Sequence, residues 1–306
     1  MIRTPRPASR RRAPALRAAA LSGALATLLG GCDEKAPADD TGDSGSLCVA
    51  ATGEYDVAYH TEPSPAEVGG DNELWFTIYG RDGCPVDDIQ ENHERLVHTF
   101  VISQDLEHFA HQHMEDFYEV TADTLRTSTW HFPPDIPASG NYLLVWDFAH
   151  ENQYLQDMGW METVGEPAQL AAPNVDFYTS VVVDGVRIDL VWDTPARADY
   201  EAQWHVHATD AGTGAELTDF VQYLGADAHV AVVSEGMGWA AHSHAWFPGM
   251  EDMMPGMEMP HTYPGPDLPF HFTFPAEGTY KMWVQVARAD APDDALVVPF
   301  WFEVAP

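Results

Sequence analysis

The sequence predicts an all-β fold that contains two copies of one domain. Its 23 glycines and 23 prolines are spread over 306 residues and separate short runs of β-branched and aromatic side chains, which favour strands. Asp-Gly pairs at 82–83 and 184–185 lie between such runs, where they favour hairpin turns. No segment shows a sustained helical period with capping residues. The predicted strands are Leu74–Tyr79, Leu96–Ile102, Tyr142–Phe148, Phe177–Val183, Val186–Trp192 and Val297–Val304.

An internal repeat carries the prediction of two domains. Residues 98–113 and 229–244 align without a gap, and half of their identical positions are histidines. A Phe-Pro pair followed by a Gly-x-Tyr segment recurs downstream of both copies, at 132–142 and 274–280. Self-similarity of this kind indicates a duplicated structural unit. We therefore expect one domain over 48–166 and a second over 167–306. The identical pairs are His98/His229, Val101/Val232, Ser103/Ser234, Ala110/Ala241, His111/His242 and His113/His244.

The first 31 residues are predicted to be a lipoprotein signal peptide. Six arginines precede an apolar run over 18–29, and Leu-Gly-Gly-Cys at 29–32 matches a bacterial lipobox. The run of about 12 residues is shorter than the roughly 20 that span a bilayer. We expect acylation of Cys32, a flexible acidic tether over 32–47, and anchoring on the periplasmic side or outer surface of the cell envelope. An ordinary secretory signal is the alternative.

The remaining two cysteines, Cys48 and Cys84, predict a disulfide. An even pair in an exported protein is typical of a bridge, and closing this loop would stabilise the first domain by about 3–4 kcal/mol. A thiol copper site is the alternative.

The charge of the chain excludes one class of partner. The formal net charge is −34, and six of the 14 basic residues lie in the predicted signal peptide. So acidic a surface repels the phosphates of nucleic acids and anionic lipid headgroups. Nucleic acid is therefore not expected as a partner, and the lipid anchor is the expected membrane contact.

The repeated histidines predict a metal site in each copy. Residues two apart on a strand face the same side, so each His-x-His pair presents two imidazoles, and a hairpin would return the first histidine beside them. Three nitrogen donors suit copper, zinc or nickel; purely structural histidines are the alternative. A third His-x-His pair, at 205 and 207, is absent from the other copy, and we expect it to bind no metal. The predicted ligands are His98, His111 and His113 in one site and His229, His242 and His244 in the other.

A methionine-rich loop over 246–267 distinguishes the second copy. Five of the eleven methionines lie within 250–259, and thioethers select Cu(I) over zinc, magnesium and calcium. An adaptable loop that packs against protein is the alternative. The predicted ligands are Met250, Met253, Met254, Met257, Met259 and His261.

The order of these motifs resembles a known family. A strand, a histidine, a Val-Val-Ser-type turn, His-x-His and a Phe-Pro…Gly-x-Tyr strand follow one another, and Glu62-Pro63 and Asn72-Glu73-Leu74-Trp75-Phe76 open the first copy. The pattern is similar to bacterial secreted and membrane-anchored proteins with tandem immunoglobulin-like β-sandwich modules, of the YtkA-like and CopC-like kind. The resemblance implies cupredoxin/CopC-like sandwiches and copper handling in the cell envelope.

These patterns together predict a copper buffer or chaperone and no enzyme. No nucleophile elbow, phosphate-binding glycine loop or HExxH motif is present. The expected cofactor is Cu(I) or Cu(II), with zinc or nickel as alternatives, and the expected partner is an envelope copper transporter or oxidase. The other interpretations are a structural or partner-binding envelope lipoprotein, and a zinc or nickel binder.

Overall fold

The prediction of an all-β chain is confirmed by the computed structural model, which describes residues 47–246, 257 and 260–306. Within these ranges strands dominate, together with one short α-helix, α1 (Ala122–Thr127), and a 3₁₀ turn at Met114–Asp116. No helix in the described part of the chain is long and apolar enough to cross a membrane. The signal peptide, Cys32 and nearly all of the tether lie outside the described residues.

The first domain is a sandwich of two sheets. One sheet has the order β1-β3-β6, and the other has the order β2-β8-β7-β4-β5. Its core contains the buried rings of Phe76, Trp130, Phe132 and Trp146 between the two sheets. The strands are β1 (Asp56–Glu62), β2 (Ala66–Glu67), β3 (Glu73–Tyr79), β4 (Val97–Ser103), β5 (Phe109–Gln112), β6 (Thr129–Phe132), β7 (Gly140–His150) and β8 (Gln153–Val164).

The second domain repeats this architecture. One sheet has the order β15-β11-β10-β9; the other has the order β12-β16-β13-β14, with β17 also paired to β16. Trp204, Phe270, Phe274 and Phe300 are buried between the sheets. The strands are β9 (Ser180–Val183), β10 (Val186–Trp192), β11 (Glu201–Asp210), β12 (Phe220–Val221), β13 (His229–Ser234), β14 (Ala240–His244), β15 (Asp267–Thr273), β16 (Gly278–Arg288) and β17 (Ala291–Val304).

Two details differ from the sequence-based expectation. Helix α1 was not predicted, because six residues are too few to show a helical period. It is held instead by a capping box in which Thr121 and Thr124 satisfy each other's backbone N–H groups. The strand predicted from Phe177 forms only from Ser180 onward.

Other local predictions are confirmed. Gly185 adopts a positive φ of 80° in the Asp-Gly turn that joins β9 to β10, a conformation that glycine adopts at little cost. Cys48 and Cys84 form the predicted disulfide, which ties the start of the described chain to the turn after β3.

The two domains pack against each other through the sheets that carry the repeated histidines. All seven residues of β4 are buried, because one face of the strand lines its own sandwich and the other faces the second domain. Phe100 and Ile102 of β4 share one apolar cluster with Ala231 and Val233 of β13. These are the same positions in the two repeats.

Ring stacking and polar contacts cross the same interface. Phe109 stacks on Trp283 with ring centroids 5.0 Å apart. Lys281 is buried, lies over the rings of Trp283 and Trp301, and donates to the carbonyl of Leu106 in the first domain. The hairpins β4–β5 and β13–β14 therefore face each other, with their histidines at one end of the shared cluster.

Candidate metal centre

Three imidazoles of the first domain converge on one point. His98 lies on β4, His111 lies on β5 opposite Phe100, and His113 follows immediately after β5. His98 Nδ1 lies 2.9 Å from His111 Nε2, and His113 Nε2 lies 3.1 Å from both of these nitrogens. Nitrogen ligands of a tetrahedral metal at about 2.0–2.1 Å are separated by about 3.3 Å. The structure thus brings the predicted first triad together at nearly the spacing that a metal ion requires.

The hydrogen bonds of the outward-facing ring nitrogens determine whether the inward-facing nitrogens of this triad carry a proton. His98 Nε2 donates to the Asn92 carbonyl at 2.8 Å, His111 Nδ1 to Gln285 Oε1 at 2.8 Å, and His113 Nδ1 to Asp116 Oδ2 at 2.7 Å. A neutral imidazole has one N–H, and each of these rings donates it outward. Three lone pairs therefore face one another without a proton between them. Such an arrangement is repulsive unless a cation fills it.

The second triad repeats this geometry. His229 Nε2 donates to the Tyr223 carbonyl at 2.7 Å, and its Nδ1 lies 3.1 Å from His242 Nε2. His242 Nδ1 donates to Asp147 Oδ2 at 2.8 Å. Nε2 of His244 is buried and has no hydrogen-bond partner among the described residues. One nitrogen from each of the three rings lies within 4.8 Å of the others, as in the first triad.

The two triads meet across the domain interface. Ring centroids of His98 and His242 are 5.1 Å apart, and those of His111 and His242 are 5.3 Å apart. The His111 and His229 centroids are separated by 5.8 Å. The sequence predicted one site in each domain, and the structure shows that the two form a single cluster, which we call the interdomain histidine cluster.

Burial keeps five imidazoles of this cluster uncharged. Desolvation, followed by repulsion from neighbouring imidazoles, lowers the pKa of His98, His111, His242 and His244 well below the usual value of 6.5. The same desolvation lowers the pKa of His229 to about 3. Neutral imidazoles are the form that binds metal ions, so these donors are ready to bind a metal at neutral pH.

Three residues of the centre were missed by the sequence analysis. His93 lies in the tight turn before β4 with its ring centroid 3.6 Å from that of His244, and the matching position in the repeat is Leu224, so the duplication gave no signal. Asp147 and Gln285 hold His242 and His111 from the opposite domain. The sequence signal that could have found both residues is a polar side chain within a mostly apolar segment of a strand.

Of the methionine loop, the structure describes residues 246, 257 and 260–267. Met250, Met253, Met254 and Met259 lie outside the described residues, and Met257 is half exposed. The predicted ligand His261 lies outside both triads and donates from Nδ1 to Asp227 Oδ1 at 2.5 Å. The loop therefore leaves the described chain two residues after His244 and returns to a carboxylate two residues before His229. Trp246 and Asp227 are thus each two residues in sequence from a member of the second triad.

Fold and site define a class of protein: two tandem β-sandwiches whose repeated histidines meet at the domain interface. The chain belongs to the family described as "Domain of unknown function (DUF8832)", which matches residues 50–164 and 180–306, once for each sandwich. No curated protein matches the chain.

Several solved structures show a distant likeness. FetP of uropathogenic E. coli strain F11 is 12% identical, with a TM-score of 0.27 over 41% of this chain and 92% of that one. A putative membrane-anchored protein from Corynebacterium diphtheriae is 12% identical, with a TM-score of 0.23; the match covers 83% of this chain and 59% of that one. A two-domain fibronectin type III segment of chicken tenascin is 9% identical, with a TM-score of 0.22; the match covers 81% of this chain and 98% of that one. At these scores the likenesses support no statement about function.

Lowering the pH is expected to destabilise the metal-free protein between about pH 6.5 and pH 4. Unfolded histidines take up protons near 6.5, whereas the folded pKa is about 4 for His93 and about 3 for His229, so the unfolded state binds more protons in this window. Each such histidine removes about 1.4 kcal/mol of stability per pH unit as the pH falls. Burial raises the pKa of Asp147 to about 7, which has the opposite sign and offsets one histidine.

Urea unfolding at pH 7.5, 6.0 and 5.0 measures this effect. Below pH 6.5 the free energy of unfolding should fall by more than about 1.4 kcal/mol for each pH unit. This slope corresponds to more than one extra proton bound by the unfolded state. The double variant His98→Asn/His229→Asn should show a smaller slope. Equal stability of the unsubstituted protein at pH 7.5 and pH 5.0 would contradict the assignment of neutral, buried imidazoles.

Proposed function

We propose that this protein binds copper in the interdomain histidine cluster and acts as a copper buffer or chaperone of the bacterial cell envelope. One observation carries the proposal: in the first triad, three ring nitrogens 2.9–3.1 Å apart all point lone pairs inward, because each outer N–H is donated to a fixed acceptor. Outer hydrogen bonds of this kind are typical of histidines that bind metal, since they fix the tautomer and the ring orientation.

The purely structural interpretation explains this geometry poorly. A structural histidine would satisfy both ring nitrogens, because a buried polar atom without a partner costs about 1–3 kcal/mol. The cluster instead leaves inner nitrogens facing one another, and Nε2 of His244 is buried without a partner in the described structure. A bound cation supplies the missing interaction at all of these atoms.

The choice of copper rests on the donor types. Imidazoles alone serve copper, zinc and nickel, whereas the thioethers of 250–259 suit Cu(I). Near the two ends of that loop, Trp246 is two residues from His244 in sequence, and His261 is bonded to Asp227, two residues before His229. In this proposal the methionines of 250–259 take up Cu(I) and pass it to the imidazoles by replacing one ligand at a time.

The predicted leader and the disulfide support the proposed placement in the cell envelope. The Leu-Gly-Gly-Cys motif at 29–32 supports lipidation of Cys32, and the Cys48–Cys84 bridge fits an oxidising compartment. The resemblance to YtkA-like and CopC-like domains agrees with copper handling there. We propose binding and delivery without catalysis, with an envelope copper transporter or oxidase as the recipient.

Metal content of the purified chain tests the proposal. Residues 33–306 would be dialysed against equimolar copper, zinc and nickel and weighed by native mass spectrometry. We expect two or more copper ions for each chain, and their loss in the variant with His111, His113, His242 and His244 all changed to alanine. The matched control is His205→Ala/His207→Ala, which removes a His-x-His pair bound to Asp193 and Asp267 outside the cluster, and which should retain all the metal.

The other outcomes identify the alternatives. Zinc or nickel retained in place of copper would replace copper as the cargo and leave the centre intact. No retained metal in the unsubstituted chain would make the cluster structural.

Replacing the five methionines of 250–259 by leucine should weaken Cu(I) binding and leave Zn(II) binding unchanged. Thioethers contribute to a soft ion only, and leucine preserves apolar bulk. Competition with a Cu(I) chelator, beside zinc titration, measures both affinities. The control variant changes Met158 and Met161 on β8 to leucine. An unchanged Cu(I) affinity in the five-methionine variant would remove the loop from the mechanism.

A further inference from the structure

Two residues at matching positions of the repeat reach across the domain interface. Asp147 and Gln285 are each the eighth residue of their strand, β7 and β16, and both strands have eleven residues. Asp147 of the first domain accepts the outer N–H of His242 in the second domain at 2.8 Å. Gln285 of the second domain accepts that of His111 in the first domain, also at 2.8 Å. The exchange is reciprocal.

We propose that each domain holds the middle histidine of the other domain's triad in its metal-binding orientation, so that neither site is complete within one domain. The inference rests on the proposed metal binding. An imidazole that donates Nδ1–H outward must present Nε2 inward, and removing the acceptor lets the ring turn or change its tautomer. Loss of such an outer partner commonly costs 10–100-fold in metal affinity. Asp147 and Gln285 are therefore positioning residues.

A crossed experiment separates the sites. The background His229→Ala/His244→Ala disables the second triad, and His98→Ala/His113→Ala disables the first; both keep the interdomain hydrogen bonds. Where only the first triad works, Gln285→Ala should lower the affinity for copper 10–100-fold and Asp147→Ala less than 2-fold. Where only the second triad works, Asp147→Ala should lower the affinity for copper 10–100-fold and Gln285→Ala less than 2-fold. Gln285→Glu, which keeps an acceptor oxygen, should restore affinity.

Each outcome has one meaning. Substitutions that weaken the triad of their own domain, or both triads equally, would overturn the crossed assignment while leaving the metal sites in place. A failure of both parent backgrounds and of the unsubstituted chain to bind any metal would refute the proposed function itself, and the crossed assignment with it.

Discussion

The structure depends on one electrostatic constraint: imidazoles buried at a domain interface donate their only N–H groups away from one another. The acceptors are two backbone carbonyls, at Asn92 and Tyr223, and side chains that lie at the rim of the cluster. Inward lone pairs repel one another in a low-dielectric interior, where charge interactions are poorly screened. Under the proposed function, a metal ion would convert the same lone pairs into bonds, and its binding and the docking of the two domains would stabilise each other.

The packing of the two domains determines the position and the burial of the interdomain histidine cluster. Phe100, Ile102 and their counterparts Ala231 and Val233 form the apolar part of the interface, and His98 and His229 continue the same faces of β4 and β13. Alternation along the strands thus sends histidines and apolar residues to one surface. The apolar contacts exclude water from the imidazoles, which in turn holds the pKa of His98 and His229 low. Lys281, bonded to the Leu106 carbonyl, fixes the other end of the interface.

Much of this arrangement could be predicted from the sequence. Strand composition and the repeat gave the all-β class and the duplication, and His-x-His spacing with a following hairpin gave the members of each triad, because both are local properties of a strand. The meeting of the triads could not be predicted, since it depends on how two sandwiches dock. Asp147, Gln285 and His93 were missed for the same reason: each acts on a residue of the other domain. Helix α1 is too short to show a helical period in the sequence.

The central claim is that metal ions bind between the two domains, and its most direct test is anomalous diffraction from crystals of copper-loaded protein. The account predicts two anomalous peaks in the interdomain histidine cluster. One should lie about 2.0–2.1 Å from His98 Nδ1 and from Nε2 of His111 and His113, and the other at that distance from the second triad. Peaks confined to other parts of the chain, or a copper-soaked cluster with no peak, would contradict the account.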